Sequence, residues 1–449
     1  MSKIDDLELH VHGKTRLQQQ QLKQQQQQHH NARFGVLHDE VPIMLVKGTQ
    51  RNAQWTGAVT SIAVSMLENG LVDAVVCIAS VSDHDKRDID DNDNSNNDEQ
   101  HNNRLSHLEP KPIVAKNVQD VLRGRGVKPS LAPSLAVLDE IKQDPSIKRL
   151  LFCGVGCAVQ AFRSPAVQDD LGLEKVYVLG TNCADNSPSL AASHDFISSG
   201  LNVDERDLVN VKGYEFMQDF QVHVKKSDSN SDNDNDGNGN DGNGHVYEKI
   251  PYFSLPGKIA RSSIADSCLA CFDYTNALAD VVVGYMGAPL DNQGAMDSAL
   301  QTLTVRNGRG KEMVEAALKS ERLEVIREAS GTGKWQDFAV QTVAADGIVA
   351  EMVGELPKEE GMPRWIGRIV AKLVTSVGPK GMNFASYSID YHILRNYLHV
   401  ISEWGEDRGE ASMPEYAKII VQEYLDSNAE FSELRDRVLR KRKVLRKRR

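Results

Sequence analysis

The sequence predicts an α/β protein: mostly parallel or mixed sheets flanked by helices, with a largely helical C-terminal region. Three observations carry this. Short β-branched runs recur at Leu71–Ala79, Arg149–Cys153, Lys175–Leu179 and Asp280–Gly284, separated by helical periods. The Leu71–Ala79 run is apolar almost throughout instead of alternating, as in strands covered on both faces. From Lys311 onward the period is mostly 3.6, clearest over Trp365–Thr375 and Pro414–Asn428. At 449 residues, 40% hydrophobic and 26% charged, with a net charge of -11, the chain has the composition of a globular protein of two or three domains. No uncharged apolar run reaches the roughly 18 residues that a membrane-spanning helix needs.

In chain order, residues 17–30 are a glutamine-rich tract ending in His29 and His30, and 82–106 and 226–244 are Asn/Asp/Ser/Gly-rich. Such segments bury too little apolar surface to offset their ordering entropy, so residues 1–35 and both inner tracts are expected to be disordered. A helix follows Gly57, with Val59, Ile62, Ala63, Met66 and Leu67 on one face, Thr56 placed to cap its start and Gly70 its end. Its approach, Gln54-Trp-Thr-Gly57-Ala-Val-Thr60, offers backbone N–H groups to an anion. This approach is not a GxGxxG fingerprint, which disfavours a Rossmann dinucleotide fold, and the sequence has neither a nucleotide-hydrolysis P-loop nor a GxSxG nucleophile elbow. Arg306, in Thr304-Val-Arg-Asn307, is suited by type to a phosphate or to an ordinary surface role. Eight basic residues lie between Arg440 and Arg449. Such a run suits a nucleic-acid or anionic-membrane contact, but a frayed basic end of the last helix is the preferred reading.

The six cysteines are too sparse for a secreted disulfide scaffold. Cys77, inside a strand run, reads as a small core residue. Cys153 and Cys157 bracket a glycine pair directly after one strand, and Cys183 follows another. Both positions fall at carboxyl ends of strands, where open α/β sheets gather ligands. Cys268 and Cys271 form a single CxxC. Zinc held by four thiolates usually shows two such knuckles; one CxxC with single loop cysteines is a common way to hold an iron–sulfur cluster.

Several longer stretches extend the pattern: Gln54–Gly57, Leu150–Cys157, Leu179–Cys183, Tyr214–Asp219, Pro251–Pro256, Cys268–Asn276, Gly378–Gly381 and Asp390–Tyr397. In content and order, over roughly residues 36–430, they resemble the beta-subunit family of deazaflavin-reducing hydrogenases, in particular its plastid branch of chlorophyll-pigment reductases. The resemblance implies FAD, a 4Fe–4S cluster and reduced ferredoxin as electron donor. It marks Cys157, Cys183, Cys268 and Cys271 as cluster ligands, with Cys153 in reserve, and Gly57, Thr60, Asn182 and Arg306 as flavin-side residues. It also implies a hydrogenase-beta-like unit over 36–130, an FAD and iron–sulfur unit over 131–310, a helical region over 311–430 and a basic tail over 431–449.

The implied reaction is reduction of 7-hydroxymethyl chlorophyll a to chlorophyll a in the chloroplast. The alternatives are reduction of the 8-vinyl group of a divinyl (proto)chlorophyllide, or a non-catalytic flavin- or pigment-binding relative. Loss of water from a hydroxymethyl group calls for an acid, for which Asp219, Asp273 and His392 qualify by residue type. The branch carries a second, N-terminal cluster, for which this chain has too few cysteines. Residues 1–16, with Asp5, Asp6 and Glu8, do not read as a transit peptide. No nucleic-acid partner is expected, and a homo-oligomer is compatible with the resemblance.

Overall fold

The computed structural model describes residues 4–26, 31–50, 53, 55–80, 108–227, 245–289 and 299–448. Strands β1 (Met44–Gly48), β2 (Ala74–Ser80), β3 (Pro110–Ala115), β4 (Arg149–Gly154) and β5 (Lys175–Thr181) belong to the central sheet. Strands β6 (Val211–Phe216), β7 (Gln221–Ser227) and β8 (His245–Pro251) form a separate antiparallel sheet. Strands β9 (Val281–Gly284), β10 (Gln301–Val305) and β11 (Leu323–Glu328) complete the central one. Its order is β11-β1-β10-β9-β5-β4-β2-β3. The four strands β9, β5, β4 and β2 run parallel, and the outer pairs are antiparallel. The sheet is therefore mixed, with a parallel centre. It draws strands from both sides of residue 130 and of residue 310, so the boundaries expected there cut through a single sheet.

The central strands β2, β4, β5 and β9 are mostly apolar because both of their faces are covered. On one face Leu151, Tyr177 and Leu179 pack with Ile62 and Met66 of helix α3 (Ala58–Glu68) and with Met313 and Ala317 of the helix Gly308–Lys319. Their neighbours in the chain, Leu150, Phe152 and Val178, point the other way onto Val159, Phe162 and Ile141. This is the period-two alternation of a pleated strand, with two dry faces in place of one. Cys77 is buried in the first of these cores, as its strand position predicted.

The expectation of a disordered N-terminus is corrected. Helices α1 (Ile4–His12) and α2 (Arg16–Gln25) form a docked hairpin. Arg16 and Glu8 are both fully buried, joined at 2.7 Å from Nε and 2.6 Å from Nη2, and the Arg16 guanidinium lies 3.8 Å from the centre of the Tyr416 ring. Gln19 makes a two-way pair with the backbone of Leu37, at 2.6 and 2.9 Å. Composition missed this because a glutamine tract lacks apolar anchors. The anchors here are a buried ion pair and backbone hydrogen bonds, which hydropathy does not register. Residues 27–30, 82–106 and 228–244 lie outside the described residues; Lys226 and Ser227 end β7.

The last helix, Ala429–Arg448, buries Phe431, Leu434 and Val438 in the C-terminal bundle. Residues 431–442 are thus part of the fold and not a free tail: Lys441 and Arg442 donate to the backbone carbonyls of Glu351, Ser402 and Glu403. The core of this bundle is the 23-residue helix Met382–Trp404, which packs against the helices Gln336–Ala345, Gly347–Val353 and Glu415–Ser427.

Removing one partner of a buried ion pair leaves an uncompensated charge. Arg16→Ala is therefore expected to cost about 3–5 kcal/mol in urea unfolding, while Glu8→Gln with Arg16→Met should recover most of it. The hairpin is also acid-sensitive. Asn307 Nδ2 lies 3.1 Å from His12 Nδ1, and His12 Nε2 lies 2.8 Å from the Ala277 carbonyl oxygen, a set of contacts that suits the neutral ring. Burial pushes this imidazole from 6.5 down to about 3. A depressed value stabilises the fold above the unfolded pKa, and that contribution is lost as the pH falls from about 6.5 toward 3. Protease accessibility of residues 4–26 should rise across that range, and His12→Asn should flatten the rise.

Candidate functional site

The site lies at the carboxyl ends of the parallel strands. Beyond β4 the chain turns at Val155 into the helix Gly156–Phe162, carrying Cys157 in its first turn. Beyond β5 come Asn182 and Cys183, and the CxxC sits in and just after the short helix Asp266–Leu269. These loops interlock through their backbones: Cys183 N–H donates to the Tyr274 carbonyl at 3.3 Å, and Ala265 N–H to that of Asn186 at 2.9 Å. Asn276, fully buried, donates to the Gly154 carbonyl at 2.8 Å and to that of Thr181 at 3.3 Å, stitching the ends of β4 and β5 together. A Cβ on Gly180 would stand 2.6 Å from the Asn276 amide nitrogen, so that crossing requires glycine.

Cys157, Cys183, Cys268 and Cys271 are brought together. Burial pushes the Cys268 thiol up to about 11 and that of Cys271 to about 12, and raises those of Cys183 and Cys157. Beyond burial, every pair among the four is close enough for a charge on one thiol to disfavour a charge on the other. Cys153 stands apart: its thiol is raised by burial and by Cys77, and its side chain packs against the core that holds Cys77. The reserve position is thus outside the quartet. All six cysteines are free, and Cys157 is the exposed member of the four. Among the described residues, no three His, Cys, Asp or Glu side chains are drawn in closely enough to hold a single metal ion. What the donor set offers is four neighbouring thiols which, as thiolates, would fit the chemistry of an iron–sulfur cluster.

The long helix Met382–Trp404 props the CxxC from behind. Asn396, fully buried, donates to the carbonyls of Cys268 and Cys271 at 2.8 and 2.7 Å, and its Nδ2 lies 2.6 Å from the Tyr274 hydroxyl. Next to it in the helix, Arg395 grips Asp185 through both terminal nitrogens, at 2.8 and 2.7 Å. Burial alone would raise the Asp185 carboxyl, but Arg395 and His392 outweigh it and hold the group well below the carboxylate range. Sequence reasoning passed over Asn396, Arg395 and Asp185. The available signal was the Arg-Asn pair within the Asp390–Tyr397 stretch.

The flavin-side residues divide. Gly57 has a left-handed backbone (φ 72°) and starts α3, where a Cβ would stand 2.5 Å from the Gln50 carbonyl oxygen. Thr60 is buried one turn into that helix. Thr56 does not cap the helix: its hydroxyl accepts from Gly48 N–H at 2.9 Å and lies 3.2 Å from Gln301 Oε1. Gln301 Oε1 also takes the Ala58 N–H at 3.1 Å, so one amide expected to be open to an anion is already used. Gln54 lies outside the described residues. Trp55 is held at φ 56°, costly for an aromatic residue. It is fixed there by a 2.9 Å bond from Nε1 to Glu215 and by a stack on Tyr285 at 5.1 Å. Burial raises the Tyr285 phenol, helped first by Glu215 and then by Cys183 and Asp185, which puts the stack beside the thiols.

Arg306 is not a surface residue, nor is it spread open for a phosphate. It is buried and donates to the carbonyls of Phe34 and Val36 at 2.8 and 2.7 Å and to that of Thr275 at 2.6 Å. Burial lowers it to about 10. Arg306 Nε and the Thr275 hydroxyl are left without hydrogen-bond partners, and both residues line one small cavity together with Asn182, Thr302 and Thr304. Orphaned buried donors are costly unless something accepts from them. They suit the carbonyl or ring-nitrogen acceptors of a flavin, so this cavity fits an edge of such a group.

The three acid candidates each have structural partners. Asp273 is buried and accepts from the Ala277 N–H at 2.8 Å and from Gln160 at 3.0 Å. Asp219 pairs with His223 at 2.8 Å, and His392 Nδ1 lies 2.6 Å from the Ser388 carbonyl oxygen.

A mixed α/β sheet with a thiol quartet at its carboxyl edge, backed by a helical bundle, defines a class of redox subunit. Two family models match the chain: the coenzyme F420 hydrogenase/dehydrogenase beta subunit N-terminal model over residues 45–92 and the C-terminal model over 147–330. The chain belongs to that family. It is 42% identical over 427 residues to the chloroplastic 7-hydroxymethyl chlorophyll a reductase of Oryza sativa, covering 94% of this chain and 77% of that protein. An uncharacterized protein of Nostoc is 34% identical, over 94% of this chain and 87% of its own length. In fold, the chain is similar to a chain of the F420-reducing [NiFe] hydrogenase complex of Methanosarcina barkeri. The TM-score is 0.51 at 18% identity, covering 84% of this chain and 97% of that one.

Asn396→Ala removes the donor shared by the two CxxC carbonyls. It is expected to cost roughly 2–3 kcal/mol in urea unfolding, and to raise hydrogen exchange locally over residues 265–276.

Proposed function

We propose that the chain is an FAD- and 4Fe–4S-dependent oxidoreductase that reduces 7-hydroxymethyl chlorophyll a to chlorophyll a in the chloroplast, with ferredoxin as donor. The observation that carries the redox chemistry is the mutual influence of the Cys157, Cys183, Cys268 and Cys271 thiols at one sheet edge. The substrate reading rests on the 42% identity to the rice reductase over 94% of the chain. When bound, the cluster would supply one-electron relay and the flavin would supply the pairing of two electrons.

The chain's own residues do the holding and shaping. The four thiolates would be the cluster ligands, Asn396 fixes the two CxxC carbonyls that set their direction, and the exposed Cys157 marks the side open to a protein donor. Arg306 Nε and the Thr275 hydroxyl offer donors to the flavin, with Asn182 in the same cavity. Gly57 and Thr60 shape the start of α3 beside the Trp55–Tyr285 stack.

Anaerobic purification with iron and flavin counts tests the cofactors; a chain with neither iron nor visible charge-transfer absorption refutes the cluster. Cys268→Ser is expected to abolish reduction while flavin binding stays measurable. Incubation with reduced ferredoxin and each pigment tests the substrate. The hydroxymethyl pigment should turn over, and turnover of the divinyl pigment alone would reject the assignment.

A further inference from the structure

The helix Arg364–Val377 carries Trp365, Ile369, Leu373 and Val377 at four-residue spacing, each between 60% and 66% exposed. Leu356 and Met362, on the approach to it, add to the same kind of surface at 94% and 42%. A line of large apolar side chains left in water is far more than the scattered exposure that is normal for a folded surface. It is not a loosely seated core face. The opposite side of the helix is built from Gly367 and Ala371, both buried, and a Cβ on Gly367 would stand 2.3 Å from Ser254 Oγ. The small residues press the helix onto the fold, and the large ones cannot turn inward.

The charges beside the stripe select its partner. Arg368 and Lys372, both exposed, sit three residues on from Trp365 and Ile369. From Arg364 to Lys380 there are four cations and no acidic residue, in a chain of net charge -11, while the approach that carries Leu356 and Met362 holds Glu355, Glu359 and Glu360, so the cationic flank belongs to the helix itself. Arg364 is engaged by Glu248 at 2.9 Å, which leaves Arg368, Lys372 and Lys380 as the outward charge. A second copy of this chain facing the same stripe would set these cations against one another. An anionic lipid surface offers acyl chains to the stripe and phosphates to the flanking cations. This combination is what an in-plane amphipathic helix uses. No helix among the described residues is long and apolar enough to cross a membrane.

We infer that the Arg364–Val377 helix is a membrane-surface contact that seats the protein on anionic lipid, with Trp365, Ile369, Leu373 and Val377 in the headgroup–acyl boundary. The test is flotation of the full chain with vesicles of phosphatidylcholine alone and with one part in three phosphatidylglycerol, alongside sedimentation without lipid. The chain should float with the anionic vesicles. Trp365→Ser with Leu373→Ser should lower partitioning by at least about tenfold. Arg368→Gln with Lys372→Gln should lower it by about fivefold per charge on anionic vesicles only. All four changes are on exposed side chains, and unchanged thermal melts show that the variants fold. Absence of flotation overturns the inference. So does an oligomer in lipid-free sedimentation that Trp365→Ser with Leu373→Ser converts to monomers, because the stripe would then join copies of the chain.

Discussion

The grip of the helix Met382–Trp404 on the cysteine loops is the constraint on which the rest of the site depends. Arg395 and Asn396, adjacent in that helix, reach two different loops. Arg395 holds Asp185, two residues past Cys183, and Asn396 holds the carbonyls of Cys268 and Cys271. Cys183 lies in irregular structure and the CxxC straddles the end of a four-residue helix, so both depend on partners elsewhere to fix their backbone. A buried ion pair is a weak source of net stability but a strong source of registry, since any other alignment strands a charge. The Asp185–Arg395 pair therefore selects one arrangement of helix against sheet.

The same logic recurs at the other end of the bundle. Asp390, fully buried, accepts from Arg33 at 2.7 Å, from the Trp335 indole at 2.9 Å and from the Tyr424 hydroxyl at 2.7 Å. Arg16, packed on Tyr416, ties the N-terminal hairpin to that bundle, and Arg306 ties residues 34–36 to the loop at Thr275. Apolar burial supplies the bulk of the stability, while these single polar links decide which segments touch the site. Arg306 Nε has no hydrogen-bond partner, and its side chain lines the cavity beside Asn182.

The legible parts of the molecule were those with a local signature. The strands Leu71–Ala79 and Lys175–Leu179 announced themselves because both of their faces are dry, and the amphipathic helices because one face is. Five cysteines stood out because strand ends and a CxxC are local patterns, while setting Cys153 apart from the other four took the family resemblance. The N-terminal hairpin was misread because Glu8 and Arg16 are anchors only when paired in three dimensions. Arg306 was misread because a lone arginine looks the same in sequence whether it meets a phosphate or three carbonyls.

By itself the sequence determined the α/β class, the parallel centre of the sheet and the helical character of the C-terminal region. These follow from near-neighbour patterns that the backbone period converts directly into faces. Only the tertiary structure decided that one sheet spans both expected units, that Cys153 faces Cys77 and not the quartet, and that Asn396 carries the CxxC. It also left the Trp365–Val377 stripe in solvent. Those outcomes depend on contacts between residues far apart in the chain, where geometry and desolvation choose among partners that composition cannot tell apart.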